Sequence, residues 1–416
     1  MRTETGGGKR ALCAGEQPRL PGRAAVLGLA HGYAAGPDRQ AAALDLMGYM
    51  LGEAMQAADA DEVLTEMSER IRAAGVPLDR ASSIVPLLHA EAAASARFWE
   101  RGKGARSYLF PYNEASGEGY ARSPAADAHA TGQWVTLWLP ETPDETYDIV
   151  AELKEAGLTH YIMAPVFQKT GLASTFSFAT ASPDGFSPQD FAFLRAVFPA
   201  LAACQEILTT TRAMNEVLRI YVGEEPRARI IKGDVHRGEV VHIRSAILFA
   251  DMRRFTELTA ELSAEQAAGL LNAYFDCIVP AVEEGGGEVL KFMGDGVLAV
   301  FRAEGDGVET CTRALKAARA GLTKVAEDAR FDAGVALHFG EAAYGNVGSG
   351  MRLDYTVIGR DVNLAARVAG LCGTHGEPLL VTEAFRGHAG LEGRALGLQR
   401  LKGLKEPQQV FVLPLR

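Results

Sequence analysis

Apolar positions along the chain change period several times, and each change marks an element. From Leu44 onward, Leu44, Met47, Met50, Leu51 and Met55 fall on one helical face, and Val63, Met67 and Ile71 continue the spacing until Gly75 and Pro77 stop it. Both segments are expected to supply core. Between Ser107 and Phe178 the period becomes that of strands. Trp134–Leu139, Thr159–Ala164 and Ser174–Ala179 are rich in β-formers and bounded by Gly and Pro, with a helix expected over Asp144–Ala156. Ser187 then offers a cap and Pro188 a first helical position. Leu194, Phe198, Leu201, Cys204, Leu208, Thr211, Met214, Leu218 and Tyr221 recur every three or four residues. Such a stripe serves equally as one face packed on its own domain or as a seam with a second copy, and Pro199 counts against an unbroken helix. Gly223–Pro226 reads as the turn that closes it, followed by polar residues to Val240.

Farther on, the pattern delivers carboxylates. Ser245–Ala250 is an apolar strand with Asp251 at its carboxyl end, and Glu288–Phe301 reads as two strands joined through Gly294-Asp295-Gly296. If those strands pair with the first, the two carboxylates meet. Taken alone, a Gly-Asp-Gly turn is an ordinary surface turn. A close pair of Asp with no His or Cys beside it is an all-oxygen site suited to Mg²⁺ or Mn²⁺ rather than zinc. Asp354–Gly359 is a short strand, and the helix from Asp361 carries Asn363 and Arg367 four residues apart, hence on one face. There an amide can orient a sugar and a guanidinium can meet a phosphate.

Composition narrows the partners. At about 150 residues per domain, the 416 residues call for two or three folded units. With 42 Lys+Arg against 52 Asp+Glu, the formal net charge is −10, which argues against sequence-independent binding to nucleic acid or anionic lipid. Hydrophobic residues make up 48% and charged residues 23%, enough apolar material for real cores. Five Cys with no C-x-x-C pair fit neither a disulfide framework nor a zinc site, and a cytoplasmic location is expected. The most apolar stretch, Phe191–Leu208, is broken by Arg195 and Gln205-Glu206, so no membrane span is expected. Residues 1–40 read as a flexible tail, with no apolar run before Pro18 and Pro21 that would make a secretory signal.

Together, the segments 249–256 (FADMRRFT), 286–296 (GGEVLKFMGDG), 345–349 (GNVGS) and 354–367 (DYTVIGRDVNLAAR) resemble the catalytic domain of class III nucleotidyl cyclases, from about Ile243 to the C-terminus. The resemblance implies an α/β (α+β) fold with a ferredoxin-like, palm βαββαβ core over 241–416. It implies an adenylate cyclase that turns ATP into cyclic AMP and pyrophosphate with two Mg²⁺ or Mn²⁺ per site. Asp251, Asp295 and the Met252 carbonyl match the metal ligands, Lys291 and Thr356 the purine readers, Asn363 the ribose-orienting amide, and Arg367 the transition-state arginine. Phe255 and Thr256 share the first motif and are expected at the substrate. Lys402 is a candidate substitute for a phosphate-binding Arg that membrane-bound members place before a strand like Leu379–Thr382. Family members often have Gly where this chain has Arg254. The family's site forms between two catalytic domains, so a homodimer is implied. Guanylate cyclase, a GGDEF-type diguanylate cyclase and a non-catalytic nucleotide-binding regulator are the rival readings; the Gly285–Glu288 run superficially suggests the second. The element order of 41–210 is similar to a GAF-type sensor domain, joined through a helical and polar linker, 211–240. That likeness implies a small-molecule ligand, for which His160 and Trp134 are candidate pocket residues, although a packed aromatic or a hydrogen-bonded His is the commoner role.

Overall fold

A computed structural model describes residues 37–88, 92–112, 118–169, 171, 173–303, 305–350 and 352–415. The chain divides into two compact units, residues 1–217 and 218–416. The expected tail lies outside the described residues up to position 36, as does Cys13.

In the first unit, α1 (Pro37–Leu51) and α2 (Ala60–Ala73) precede β1 (Arg80–Pro86), β2 (Ala92–Glu100) and β3 (Gly104–Pro111). After the short α3 (Glu118–Ala121) come α4 (Pro124–Thr131), β4 (Val135–Trp138), α5 (Val150–Glu155), β5 (His160–Phe167), β6 (Ala173–Thr180) and α6 (Pro188–Val222). The strands form a six-stranded antiparallel sheet in the order β3-β2-β1-β6-β5-β4. Leu46, Met50 and Met67 from α1 and α2 and Phe193 and Leu201 from α6 pack on Trp99 and Phe178 of the sheet. A second cluster, built on Leu137, Leu153, Tyr161 and Met163, joins α4 and α5 to β4 and β5.

Several expectations change here. The buried stripe of α1 is Ala43, Leu46 and Met50, while Leu44 and Leu51 are 65% and 48% exposed. Strands begin at Arg80 rather than near Ser107, and the expected helix over Asp144–Ala156 is a 3₁₀ turn followed by the short α5. Pro199 does not interrupt α6, which continues to Val222. No membrane span is expected, and α6 is long and apolar enough to cross one by length and composition, a test that a core helix also passes, with 50% of its apolar stretch buried. Trp134 and His160 are packing residues. Trp134 meets Phe198 edge-on at 5.1 Å beneath the Arg195 guanidinium, and His160 sits among Trp138, Phe186 and Phe191 with Nδ1 accepting the Phe186 N–H at 3.1 Å.

The second unit opens with α7 (Glu224–Lys232), an ordered helix inside the expected linker. The Glu225 N–H in its first turn donates to the Glu288 carboxylate at 3.0 Å, a favourable place for an anion. Then follow β7 (Val240–Met252), the short α8 (Phe255–Thr259), α9 (Ala264–Glu284), β8 (Glu288–Met293), β9 (Gly296–Arg302), α10 (Val308–Asp328), β10 (Ala333–Ser349) and β11 (Arg352–Ile358). The chain ends with α11 (Arg360–His375), β12 (Leu379–Thr382), α12 (Glu383–Ala389), β13 (Arg394–Gln399) and β14 (Gln408–Val412). The sheet runs β13-β14-β12-β10-β7-β9-β8, with β11 paired to β10. Its antiparallel heart, β10-β7-β9-β8, together with α9 and α10, is the βαββαβ palm. Alternation along β7 sends Ala246, Leu248 and Ala250 into the core shared with α9 and α10, while Ile247 packs with Val362 and Ala365 of α11. A central strand covered on both faces is a rigid base for whatever its end carries.

Candidate active site

Pairing of β7 with β9 and of β8 with β9 brings Asp251 and Asp295 to the same end of the sheet. Met293 pairs directly with Gly296, so Gly294 and Asp295 form the hairpin tip, and Gly294 takes a left-handed φ of 68° that suits glycine. Asp251 is held at about 6, well above an ordinary carboxyl, first by burial and then by the charge of Asp295. Two carboxylates in this relation resist joint ionisation and gain from a cation between them. Behind them, the fully buried Tyr274 of α9 has a hydroxyl with no hydrogen-bond partner. Burial, followed by the charges of Asp251 and Asp295, pushes its pKa well up. Among the described residues no group of three or more His, Cys, Asp or Glu is placed to hold a metal. The chain therefore offers two carboxylates and backbone oxygen, a partial set that fits a hard cation shared with phosphate or water. The Met252 side chain is buried in the core, so its carbonyl is the group left for such a role.

The remaining candidates lie elsewhere. Lys291 follows a bulge in β8, where the register shifts between Val289 and Lys291, the kind of irregularity that re-aims a side chain. Its ammonium is ion-paired with Asp354 of β11. Thr356, two residues on, shares that strand face and pairs through its backbone with Gly345. Lys291, Asp354 and Thr356 thus form one polar group across β8 and β11. Asn363 and Arg367 are both exposed on the outer face of α11, while Val362, Leu364, Ala365 and Val368 are buried beneath.

Within one chain Asn363 lies well along α11 from the carboxylate pair. Asp251 pairs with Gly334, and a Cβ on Gly334 would lie 2.4 Å from Cys372, near the C-terminal end of α11. The same helix starts beside Glu341 and Ala342, which Gly359 approaches. A rise of about 1.5 Å per residue puts Asn363 roughly 13 Å along the helix from Cys372.

Phe255 packs against the core below α9, and Thr256 is exposed on α8. Arg254 precedes them at a φ of 55°, the left-handed conformation that glycine adopts without strain, which explains why Gly suits this loop position. Its side chain points to solvent, 3.9 Å from Asp332. Lys402 is exposed in the β13–β14 connection. Motif reading missed Tyr274 and Asp354. Tyr274 lies inside an ordinary amphipathic helix, and Asp354 acquires its partner only through the β8–β11 contact.

Residues 241–411 match the family described as the adenylate and guanylate cyclase catalytic domain. An adenylate cyclase of Anabaena cylindrica is 30% identical over 158 residues, covering 34% of this chain and 30% of that protein. An uncharacterized Mycobacterium tuberculosis protein is 37% identical over 152 residues, covering 36% of this chain and 26% of its own length. The chain thus spans less than a third of these curated relatives. Among solved structures, the adenylyl cyclase CyaB from P. aeruginosa is 27% identical, with a TM-score of 0.37 over 43% of this chain and 97% of that one.

Proposed function

We propose that residues 241–411, which match the adenylate and guanylate cyclase catalytic domain family, are a class III catalytic domain, and that the chain is an adenylate cyclase acting as a homodimer, with the first unit as its GAF-like regulatory domain. The observation that carries the reading is the distance along α11 that separates the outward-facing Asn363, within one chain, from the helix end beside the strand partner of Asp251. Two copies related by a two-fold axis would complete two equivalent sites.

Asp251, Asp295 and the Met252 carbonyl are the groups that would hold two divalent cations, Mg²⁺ or Mn²⁺. Bound there, such ions supply charge neutralisation on the phosphates and acidify the ribose hydroxyl. Asn363 orients the ribose so that its 3′-oxygen faces the α-phosphorus. The new 3′-O–P bond forms as the bond to the β-phosphate bridging oxygen breaks. Pyrophosphate leaves with that electron pair, and the hydroxyl proton passes to water. Arg367 donates to the α-phosphate oxygens as charge grows on them, an interaction strongest in the transition state. Lys402 and the loop at Phe255 and Thr256 belong to the triphosphate side of the same reading. Lys291 donates to a purine ring nitrogen and Thr356 accepts from the exocyclic amine of adenine, which favours ATP over GTP.

For the first unit, the sheet order and the helices α1, α2 and α6 support a sensor-like role, with a small molecule as the expected signal. Because α6 runs unbroken past the division between the units, a shift in that helix is a direct route from signal to the population of assembled sites. We place the protein in the cytoplasm, where its four described free, buried cysteines stay reduced. Incubating the purified full chain with ATP and separately with GTP, each with Mg²⁺ or Mn²⁺, tests the assignment. Cyclic AMP as the main product is expected, and cyclic GMP as the main product would move it to guanylate cyclase.

A further inference from the structure

A buried polar bridge ties the first turn of α11 to the sheet. His338 of β10 has a side chain only 6% exposed, with Nε2 3.7 Å from Asp361 Oδ1, an electrostatic contact too long for a hydrogen bond, and Nδ1 2.8 Å from Thr382 Oγ1. Thr382 Oγ1 also accepts the Phe385 N–H at 3.4 Å, which ties the hydroxyl to the start of α12. The Nδ1–Thr382 contact turns Nε2 toward Asp361. The other carboxylate oxygen, Asp361 Oδ2, accepts the backbone N–H of Glu341 at 2.8 Å. His338 holds the Asp361 carboxyl below the usual carboxylate range, against the opposing effect of burial.

Room for this bridge depends on Gly340. A Cβ there would stand 2.1 Å from Asp361 Oδ2 and 2.7 Å from His338 Nε2, so any side chain would expel the carboxylate. No side-chain cap fixes the start of the helix, whose N-cap is Gly359. Asn363 lies two residues after Asp361, and Arg367 one turn beyond.

We propose that Asp361 and His338 are positioning residues for the cyclase site. The chain of contacts from Thr382 through His338 and Asp361 to the Glu341 N–H sets the rotation of the first turn of α11, and with it the direction in which Asn363 and Arg367 leave the helix. The inference rests on the cyclase reading for what that aim accomplishes, though the brace itself is a matter of the fold. Since misplacing a catalytic group by about 1 Å can cost up to about a hundredfold in rate, a brace of this kind acts on kcat more than on ground-state binding.

Asp361→Asn and His338→Gln in the full chain, singly and together, test it. For Asp361→Asn we expect kcat about tenfold lower with KM for ATP within about twofold. The double variant should be no worse than Asp361→Asn alone, because both changes open the same bridge. Hydrogen–deuterium exchange should quicken over residues 359–367 and stay unchanged over α10. A folded Asp361→Asn protein with unaltered kcat, a loss confined to KM, or losses that multiply in the double variant would overturn the proposal. If the wild-type chain makes no cyclic nucleotide, the cyclase reading falls, and exchange alone decides the brace: quickened over 359–367 it stands, unchanged it is refuted.

Discussion

Buried polar groups are treated differently in the two units. In the first, they answer one another. Ser82 and Ser177 hydroxyls meet at 2.6 Å, Gln205 donates to Ser83 at 2.8 Å and accepts from Ser174 at 3.1 Å, and His129 bridges the Tyr120 hydroxyl and the Ser174 carbonyl. In the second, among the described residues, lie all the buried side-chain nitrogens and oxygens without a hydrogen-bond partner, on Ser245, Arg253, Tyr274, Arg313 and His338. Of these, Tyr274 feels the charge of the carboxylate pair, and Arg253 follows Asp251 by two residues in the chain. Folded proteins rarely leave such atoms unpaired without a reason. The first unit pairs its buried polar groups with one another, and the second leaves several without a hydrogen-bond partner.

The largest effect that would break this contrast concerns the split site. Asp251→Asn and Arg367→Ala should each lower cyclic-nucleotide production about a thousandfold or more, since each removes groups that act only as charge develops. Mixed in equal amounts after subunit exchange, the two inactive variants should recover about a quarter of wild-type activity. Half of the dimers are then mixed, and each mixed dimer holds one intact site of two. No recovery with confirmed exchange would show that the two sets of residues do not complement across copies.

A smaller effect follows from the Asp251 carboxyl at about 6. Its unfolded value is near 3.8, so between about pH 4 and pH 6 the folded state binds the extra proton, and stability falls as pH rises through that window. Above it the full penalty is present, at most about 3 kcal/mol. In metal-free protein at pH 7.5, Asp251→Asn should therefore raise the melting temperature, with the two proteins converging near pH 4. Equal melting temperatures at both pH values would mean that neither burial nor Asp295 raises the Asp251 carboxyl.

How far the sequence anticipates these features depends on whether they are local. Asp251, Asp295, Asn363 and Arg367 are legible because strand ends, a two-residue hairpin tip and an i, i+4 helix pair are read from neighbours in the chain. β1 and β2 are not, since Arg80-Ala-Ser-Ser and Ala92-Ala-Ala-Ser carry little apolar alternation and become strands through their register with each other and with β6. Helix α7 is polar by composition, and the Glu288 carboxylate at its first turn is a partner more than fifty positions away. Pro199 argues locally for a break, but the packing of Phe193, Val197 and Leu201 on the sheet carries α6 through it. Tyr274 and Asp354 likewise become informative only after the chain has folded.

The smallest effect compares one deletion from each unit. Gln205→Ala strips Ser83 and Ser174 of a shared partner at a buried position, and a donor or acceptor left alone costs about 1–3 kcal/mol. Tyr274→Phe removes a hydroxyl that has no hydrogen-bond partner and is opposed by two nearby carboxylates. In metal-free protein its loss should change stability by less than about 1 kcal/mol, or raise it. Denaturant midpoints of the two variants, measured on the full chain, therefore separate in a stated order, with Gln205→Ala the lower. Were Tyr274→Phe to cost as much as Gln205→Ala, the Tyr274 hydroxyl would already be satisfied in the free protein, and the difference between a closed polar core and an open polar site would disappear at the residue where it is clearest.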